Sequence, residues 1–162
     1  PQFDDLTMLT FIYLGPVTSA APSLDECVNL TVRAETANLE KVQTFIDLAL
    51  EDNGCSMKAQ TQIGVAVEEI FVNIAHYAYP SGSGEAVIYI DMDESSKTVK
   101  ITFEDEGIPY DPLKNKDPDI TLSADARPIG GLGIFMVKKS MDEVSYEYSD
   151  GKNRLTIKKS II

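Results

Sequence analysis

The spacing of apolar residues changes several times along the chain. Val28, Leu30 and Val32 alternate with polar neighbours, the period-two pattern of a half-buried strand. Leu39, Val42, Phe45, Ile46, Ala49 and Leu50 then recur at helical spacing, and Asn53-Gly54 supplies a C-terminal stop. Ser56 is placed to cap a second helix, in which Ile63, Val67, Ile70 and Ile74 form the apolar stripe. Pro80 and the SGSG after it end that helix. Two strands follow, separated by a polar turn at Ser95-Ser96, and a third helix is predicted over GGLGIFMVKKSM. Val144, Tyr146 and Tyr148, then Leu155 and Ile157, mark two closing strands with a turn near Asp150-Gly151. Strands gathered into neighbouring pairs with helices between them predict an α+β fold: a mostly antiparallel, mixed sheet covered on one face by helices, a two-layer α/β sandwich.

A few positions interrupt this pattern. Glu69 and Asn73 lie four residues apart on the second helix, one turn above each other and off its apolar stripe. Such a pair suits a metal-bound phosphate and a hydroxyl to be activated; taken alone it also suits two solvated side chains. In KTVKITFED, strict alternation puts Asp105 on the same face as Val99, Ile101 and Phe103. A carboxylate there is costly to bury without donors, unless the strand ends first and Asp105 caps a turn. Residues 111–129 hold no period, as lids and binding segments or surface insertions do. Gly130, Gly131 and Gly133 open the third helix, where backbone N–H groups can approach an anion, although a glycine cluster alone is weak evidence. His76, the one histidine, reads as a packed core residue beside an apolar helix face rather than a catalyst.

Composition narrows the classes. A chain of 162 residues with 43% hydrophobic and 25% charged residues can build one core and is not of the disordered class. A net charge of −12 excludes nucleic-acid backbone as a partner; it suits a basic protein surface, or solubility alone. Cys27 and Cys55 make neither a metal spacing nor a disulfide framework, which fits a reducing cytoplasm. No apolar run approaches the about 20 residues of a membrane span, and no signal peptide is visible. Residues 15–24, GPVTSAAPSL, read as a linker, dividing 1–24 from a domain over 25–162. The start at Pro1 suggests a piece of a longer protein.

Two resemblances carry the functional expectation. Asp4, Asp5, Leu6 and Thr7, in PQFDDLTMLTFIYL, resemble the D-D-x-T in the last strand of metal-dependent serine/threonine phosphatases. Other ligands of that family are absent, so no metal site is expected at Asp4; the expectation is a phosphatase-like domain upstream. More extensively, EEIFVNIAHYAYP (68–80), EDEGIPYDP (104–112) and RPIGGLGIFMVKKSMDEVSYEY (127–148) stand in the order found in the histidine kinase-like ATPase superfamily. The chain resembles most its anti-sigma factor serine kinase branch, over roughly residues 25–160.

That resemblance implies ATP and Mg²⁺ as cofactors, with Asn73 on the metal and Glu69 as general base, Glu68 ranking second. It implies that Asp105 accepts from the adenine amine, with Gly107 leaving room for the base. Thr156 matches a threonine that the superfamily places near the adenine, and Gly130, Gly131, Leu132 and Gly133 line the phosphates. Tyr77 stands where many relatives have a histidine, and Pro109 where many have a second glycine of the D-x-G motif. Arg127, Lys114 and Lys116 are loop cations able to meet the γ-phosphate, a solvated loop being the default for the lysines. The implied function is a cytoplasmic protein serine kinase that phosphorylates a STAS-domain anti-anti-sigma partner and controls a sigma factor, often as a homodimer. The alternative is a non-catalytic, nucleotide-gated module that sequesters a sigma factor. A histidine kinase catalytic domain is disfavoured, since no phosphoacceptor helix precedes it.

Overall fold

The computed structural model describes residues 28–114 and 132–162. Strand β1 (Val28–Arg33) leads through a short 3-10 turn (Thr36–Asn38) into helices α1 (Leu39–Asp52) and α2 (Met57–Tyr77). Strands β2 (Glu85–Asp93) and β3 (Thr98–Asp105) follow, then a 3-10 turn at Pro112–Lys114, helix α3 (Leu132–Ser140) and strands β4 (Glu143–Ser149) and β5 (Lys152–Ser160). The predicted order of elements holds.

Local chemistry sets the boundaries. After α1, Gly54 takes φ +69°, its N–H donates to Glu51 O at 3.0 Å, and the Cys55 N–H donates to Leu50 O at 3.0 Å. These two bonds make the glycine-dependent helix stop that Asn53-Gly54 predicted. Ser56 Oγ accepts from the Ala59 N–H at 3.4 Å, capping α2. Asp93 braces the β2–β3 turn, its carboxylate accepting from the hydroxyls and backbone N–H groups of both Ser95 and Ser96. Asp150 and Gly151 both have positive φ, the backbone that a two-residue hairpin turn requires.

Among the described residues the sheet runs β1-β2-β3-β5-β4 with all four pairings antiparallel, in keeping with the mostly antiparallel sheet expected. The helices turn Val42, Ile46, Leu50, Ile63, Val67, Ile70 and Phe71 onto Ile88, Val99, Ile101, Phe103 and Ile157. All of these are under 2% exposed, so the core lies between one sheet face and the helical layer. Along β3, odd-numbered residues 99 to 105 face this core and even-numbered ones face away. That parity carries Asp105 to the helical side and its neighbour Glu104 to the other, and pairing sets Asp105 opposite Asn153 on β5.

Candidate active site

Two ties bring the end of α2 against the end of β3. The Ile108 N–H donates to Ala78 O at 2.9 Å. The Tyr79 hydroxyl donates to Glu85 O at 2.7 Å and accepts from the Glu106 N–H at 2.9 Å. Gly107 sits in this junction, where a Cβ would run into the Ala78 carbonyl and side chain. Its missing side chain thus allows the close approach of α2. Beside the junction a cavity of about 680 Å³ opens between α2, the end of β3, α3 and β4–β5.

Glu69 and Asn73 line the α2 wall of this cavity, both half-buried, while Glu68 is exposed. A Cβ on Gly133 would run into the Glu69 carboxylate, so that carboxylate rests against the first turn of α3. Leu132 and Gly133 line the cavity, and Tyr77 stands at its edge, 64% exposed. His76 also lines the edge and is exposed, its ring meeting Tyr77 edge-on with centroids 5.9 Å apart. The expected core histidine is therefore corrected: two residues beyond Ile74, a side chain lies about 200° around the helix from the buried stripe.

Asp105 enters the cavity from the last position of β3, 6% exposed. The strand does not end before it. Its Oδ1 accepts from the Gly107 N–H and from Asn153 Nδ2, each at 2.9 Å. Neither bond uses Oδ2. Among the described residues no buried side-chain oxygen or nitrogen lacks a partner, so Oδ2, which neither bond uses, is accessible, and Asp105 is among the residues that line the cavity. Burial pushes the Asp105 carboxyl above its ordinary value; donation from Asn153 and Gly107 opposes this, and the neighbouring Glu104 charge reinforces it.

Thr156 is corrected. Leu155 and Ile157 face the core, so Thr156 faces away from the helices, where its hydroxyl lies 2.9 Å from Thr102 Oγ1. Asn153 occupies the position next to Asp105 instead. Pro109 is exposed and does not line the cavity, whereas its neighbours Ile108 and Tyr110 do. Lys114 is 83% exposed and pairs with Asp111 at 3.6 Å. Arg127, Lys116, Gly130 and Gly131 lie outside the described residues, as does the D-D-x-T stretch. Asn153, Tyr110 and Tyr146 are not among the expected site residues; the pairing of β5 with β3 and β4 places Asn153 and Tyr146, and Tyr110 joins them through its N–H to Asn153 Oδ1.

A largely apolar cavity with the Asp105 carboxylate at one end fits a flat base that carries an N–H donor, and the Glu69–Asn73 pair on its wall fits the chemistry of a phosphate tail. This defines a nucleotide-binding domain of the two-layer α+β type. The family described as the histidine kinase-like ATPase domain matches residues 32–159, and the chain belongs to that family. It is thus an ATP-binding domain. Among curated relatives, the serine/threonine-protein kinase BtrW of Bordetella bronchiseptica is 27% identical over 135 residues, 83% of this chain and 93% of the relative. The serine-protein kinase RsbW of Bacillus thuringiensis is 29% identical over 98 residues, 58% of this chain and 60% of the relative. The match thus spans less than two thirds of RsbW. A solved structure of the RsbU and RsbW domains of a Mycobacterium tuberculosis protein shares the fold, with a TM-score of 0.57 at 14% identity, over 83% of this chain and 32% of that one. Among the described residues no helix is long and apolar enough to cross a membrane.

Proposed function

We propose that this chain is an ATP-dependent protein serine kinase of the anti-sigma type, acting in the cytoplasm on a serine of a STAS-domain anti-anti-sigma partner and so controlling a sigma factor. The observation that carries this reading is Glu69, a half-buried carboxylate on the cavity wall one helical turn from Asn73. The kinase names of BtrW and RsbW support it. Asp105 Oδ2 accepts from the exocyclic amine of adenine, and Ile70, Ile74, Ile134 and Leu155 give the base apolar walls. Asn73 would hold Mg²⁺ through its carboxamide oxygen; the ion fits a site with few protein ligands because phosphates and waters complete its shell, and when bound it offsets phosphate charge. Glu69 takes the proton of the incoming serine hydroxyl as the oxygen bonds to the γ-phosphorus and the bond to the β–γ bridging oxygen breaks, leaving ADP. Little else is needed from the protein, since positioning and electrostatics supply most of the rate in such transfers.

The second reading is a nucleotide-gated module that sequesters a sigma factor without catalysis. Exposed apolar side chains at the cavity's rim favour a protein-binding surface there: Ile108 and Tyr110 at 53% and Leu132 at 44% exposed. The two readings are separated by Glu69→Gln, assayed with Mg-ATP and the STAS partner. Transfer to serine is abolished while ATP affinity is largely kept; transfer at the wild-type rate removes Glu69 as the base, and no transfer by the wild type leaves the binder. The phosphatase-like upstream domain rests on Asp4, Asp5 and Thr7 and is tested by the sequence that precedes Pro1 in the gene.

A further inference from the structure

Asn153 is 6% exposed and central to a cluster of bonds that none of the roles above uses. Its Nδ2 donates to Asp105 Oδ1 at 2.9 Å, and lies 3.3 Å from Gly107 O and 3.2 Å from Ile108 O. Its Oδ1 accepts from the Tyr146 hydroxyl at 2.6 Å and from the Tyr110 N–H at 3.2 Å. The partners leave no choice of amide orientation: one end meets three acceptors, and the other meets a backbone N–H that can only donate. The opposite sheet face pins the same residues. Glu104 accepts from Lys152 Nζ and Arg154 Nε, each at 2.7 Å, so the two residues flanking Asn153 are anchored to the residue preceding Asp105. Nothing in the pair can slide.

We infer that Asn153 is a positioning residue that holds one oxygen of Asp105 and thereby aims the other at the exocyclic group of a purine, setting the preference for a 6-amino over a 6-oxo base. The inference rests on the assignment of Asp105 as the base acceptor. A carboxylate accepts from the 6-amino group of adenine but meets the 6-oxo group of hypoxanthine with lone pair against lone pair. A site built to bond one group rejects the analogue that lacks it, provided that its own polar group is held and cannot turn to another partner. Without the Asn153 amide, Asp105 keeps only the Gly107 N–H at Oδ1 and is free to rotate.

The test is equilibrium binding of ATP and of inosine triphosphate, with the thermal midpoint measured alongside. Wild type binds ATP about 30-fold more tightly than inosine triphosphate, the order set by one satisfied against one unsatisfied buried bond. Asn153→Ala weakens ATP about tenfold, changes inosine triphosphate by less than about twofold and so collapses the ratio, while turnover at saturating ATP stays within about twofold. A purely structural role lowers the midpoint and weakens both nucleotides equally; that outcome, or an unchanged ratio, overturns the inference. If Asn153→Ala does not fold, Tyr146→Phe removes one of the two donors to the Asn153 amide oxygen and loosens the amide, and the ratio falls about threefold; no change in it overturns the inference equally. A wild type that does not discriminate overturns the Asp105 assignment itself, a different result from discrimination that survives Asn153→Ala.

Discussion

Glu104→Ala removes a carboxylate that is 4% exposed and bonded at 2.7 Å to both Lys152 and Arg154. Breaking a buried ion pair by deleting one partner costs about 3–5 kcal/mol when the other charge is left buried. Here the side chains of Lys152 and Arg154 are 34% and 20% exposed and can turn towards water, which lowers the expected cost to about 2–3 kcal/mol. At about 2–4 °C per kcal/mol for a domain of this size, the thermal midpoint falls by about 5–10 °C. Calorimetry or circular dichroism at neutral pH reads this directly.

The same substitution has a pH signature. Desolvation alone would raise the Glu104 carboxyl, but donation from Lys152 and Arg154 outweighs it and holds the group below its ordinary 4.5. A depressed acid stabilises the fold fully above its unfolded value and loses that contribution as pH falls through the folded value. The gap between wild type and Glu104→Ala is therefore complete at pH 7 and closes at pH values below about 4.5. ATP affinity, measured well below either midpoint, falls less than in Asn153→Ala, because Glu104 faces away from the cavity and reaches Asp105 only through the anchoring of β3 to β5. A midpoint within 1 °C (about 0.3 kcal/mol) of wild type, or a gap that persists unchanged at pH 3, would refute the reasoning.

Two further outcomes follow from the cavity. Gly133→Ala puts a Cβ where the Glu69 carboxylate now rests; the flexible side chain swings aside, so the stability changes by less than about 1 kcal/mol while phosphoryl transfer falls at least about tenfold with ATP affinity less affected. Transfer at the wild-type rate would place the active position of Glu69 elsewhere. Asp105, held above its ordinary 3.8, accepts from adenine most strongly when ionised, so ATP affinity drops as pH falls through that raised value, and Asp105→Asn gives weak binding with a flat profile over the same range; titration by calorimetry distinguishes the two.

The elements were legible because their signals are local. Period-two and period-3.6 patterns, the Asn53-Gly54 stop, the Ser56 cap and the Asp150-Gly151 turn each act within a few residues, and each stands where the sequence puts it. Asp105 was legible for the same reason, since alternation along one strand places it on the core face. Asn153 was not. Its meeting with Asp105 depends on the register between strands 48 residues apart, which no local pattern fixes. Thr156 is the instructive error: Leu155 and Ile157 already assign it to the outward face, and motif matching overrode that parity. His76 has apolar neighbours in sequence, but it lies about 200° around α2 from Ile74 and so off the buried stripe.

Glu104 and Asp105 are adjacent acids, both nearly buried, and their carboxyls are displaced in opposite directions. Burial penalises both. Glu104 receives two cations, one on each oxygen, and its charge is fully answered within the chain. Asp105 receives two neutral donors on a single oxygen, and its second oxygen stays accessible where the residue lines an apolar cavity. A fold selected for stability alone would gain by exchanging Asp105 for a neutral or apolar side chain, as buried charges without counter-charges cost more than they return. The sheet therefore separates two uses of the same residue type across one peptide bond. The outward acid locks β3 to β5; the inward one is left incomplete, and a ligand N–H is what completes it. Because ionised Asp105 opposes folding while ionised Glu104 supports it, removing the inward charge by Asp105→Asn should cost no stability at pH 7, read against Glu104→Ala in the same melting experiment. A large loss of midpoint in Asp105→Asn would mean that the inward acid, too, is structural, and the base-acceptor role would lose its physical argument.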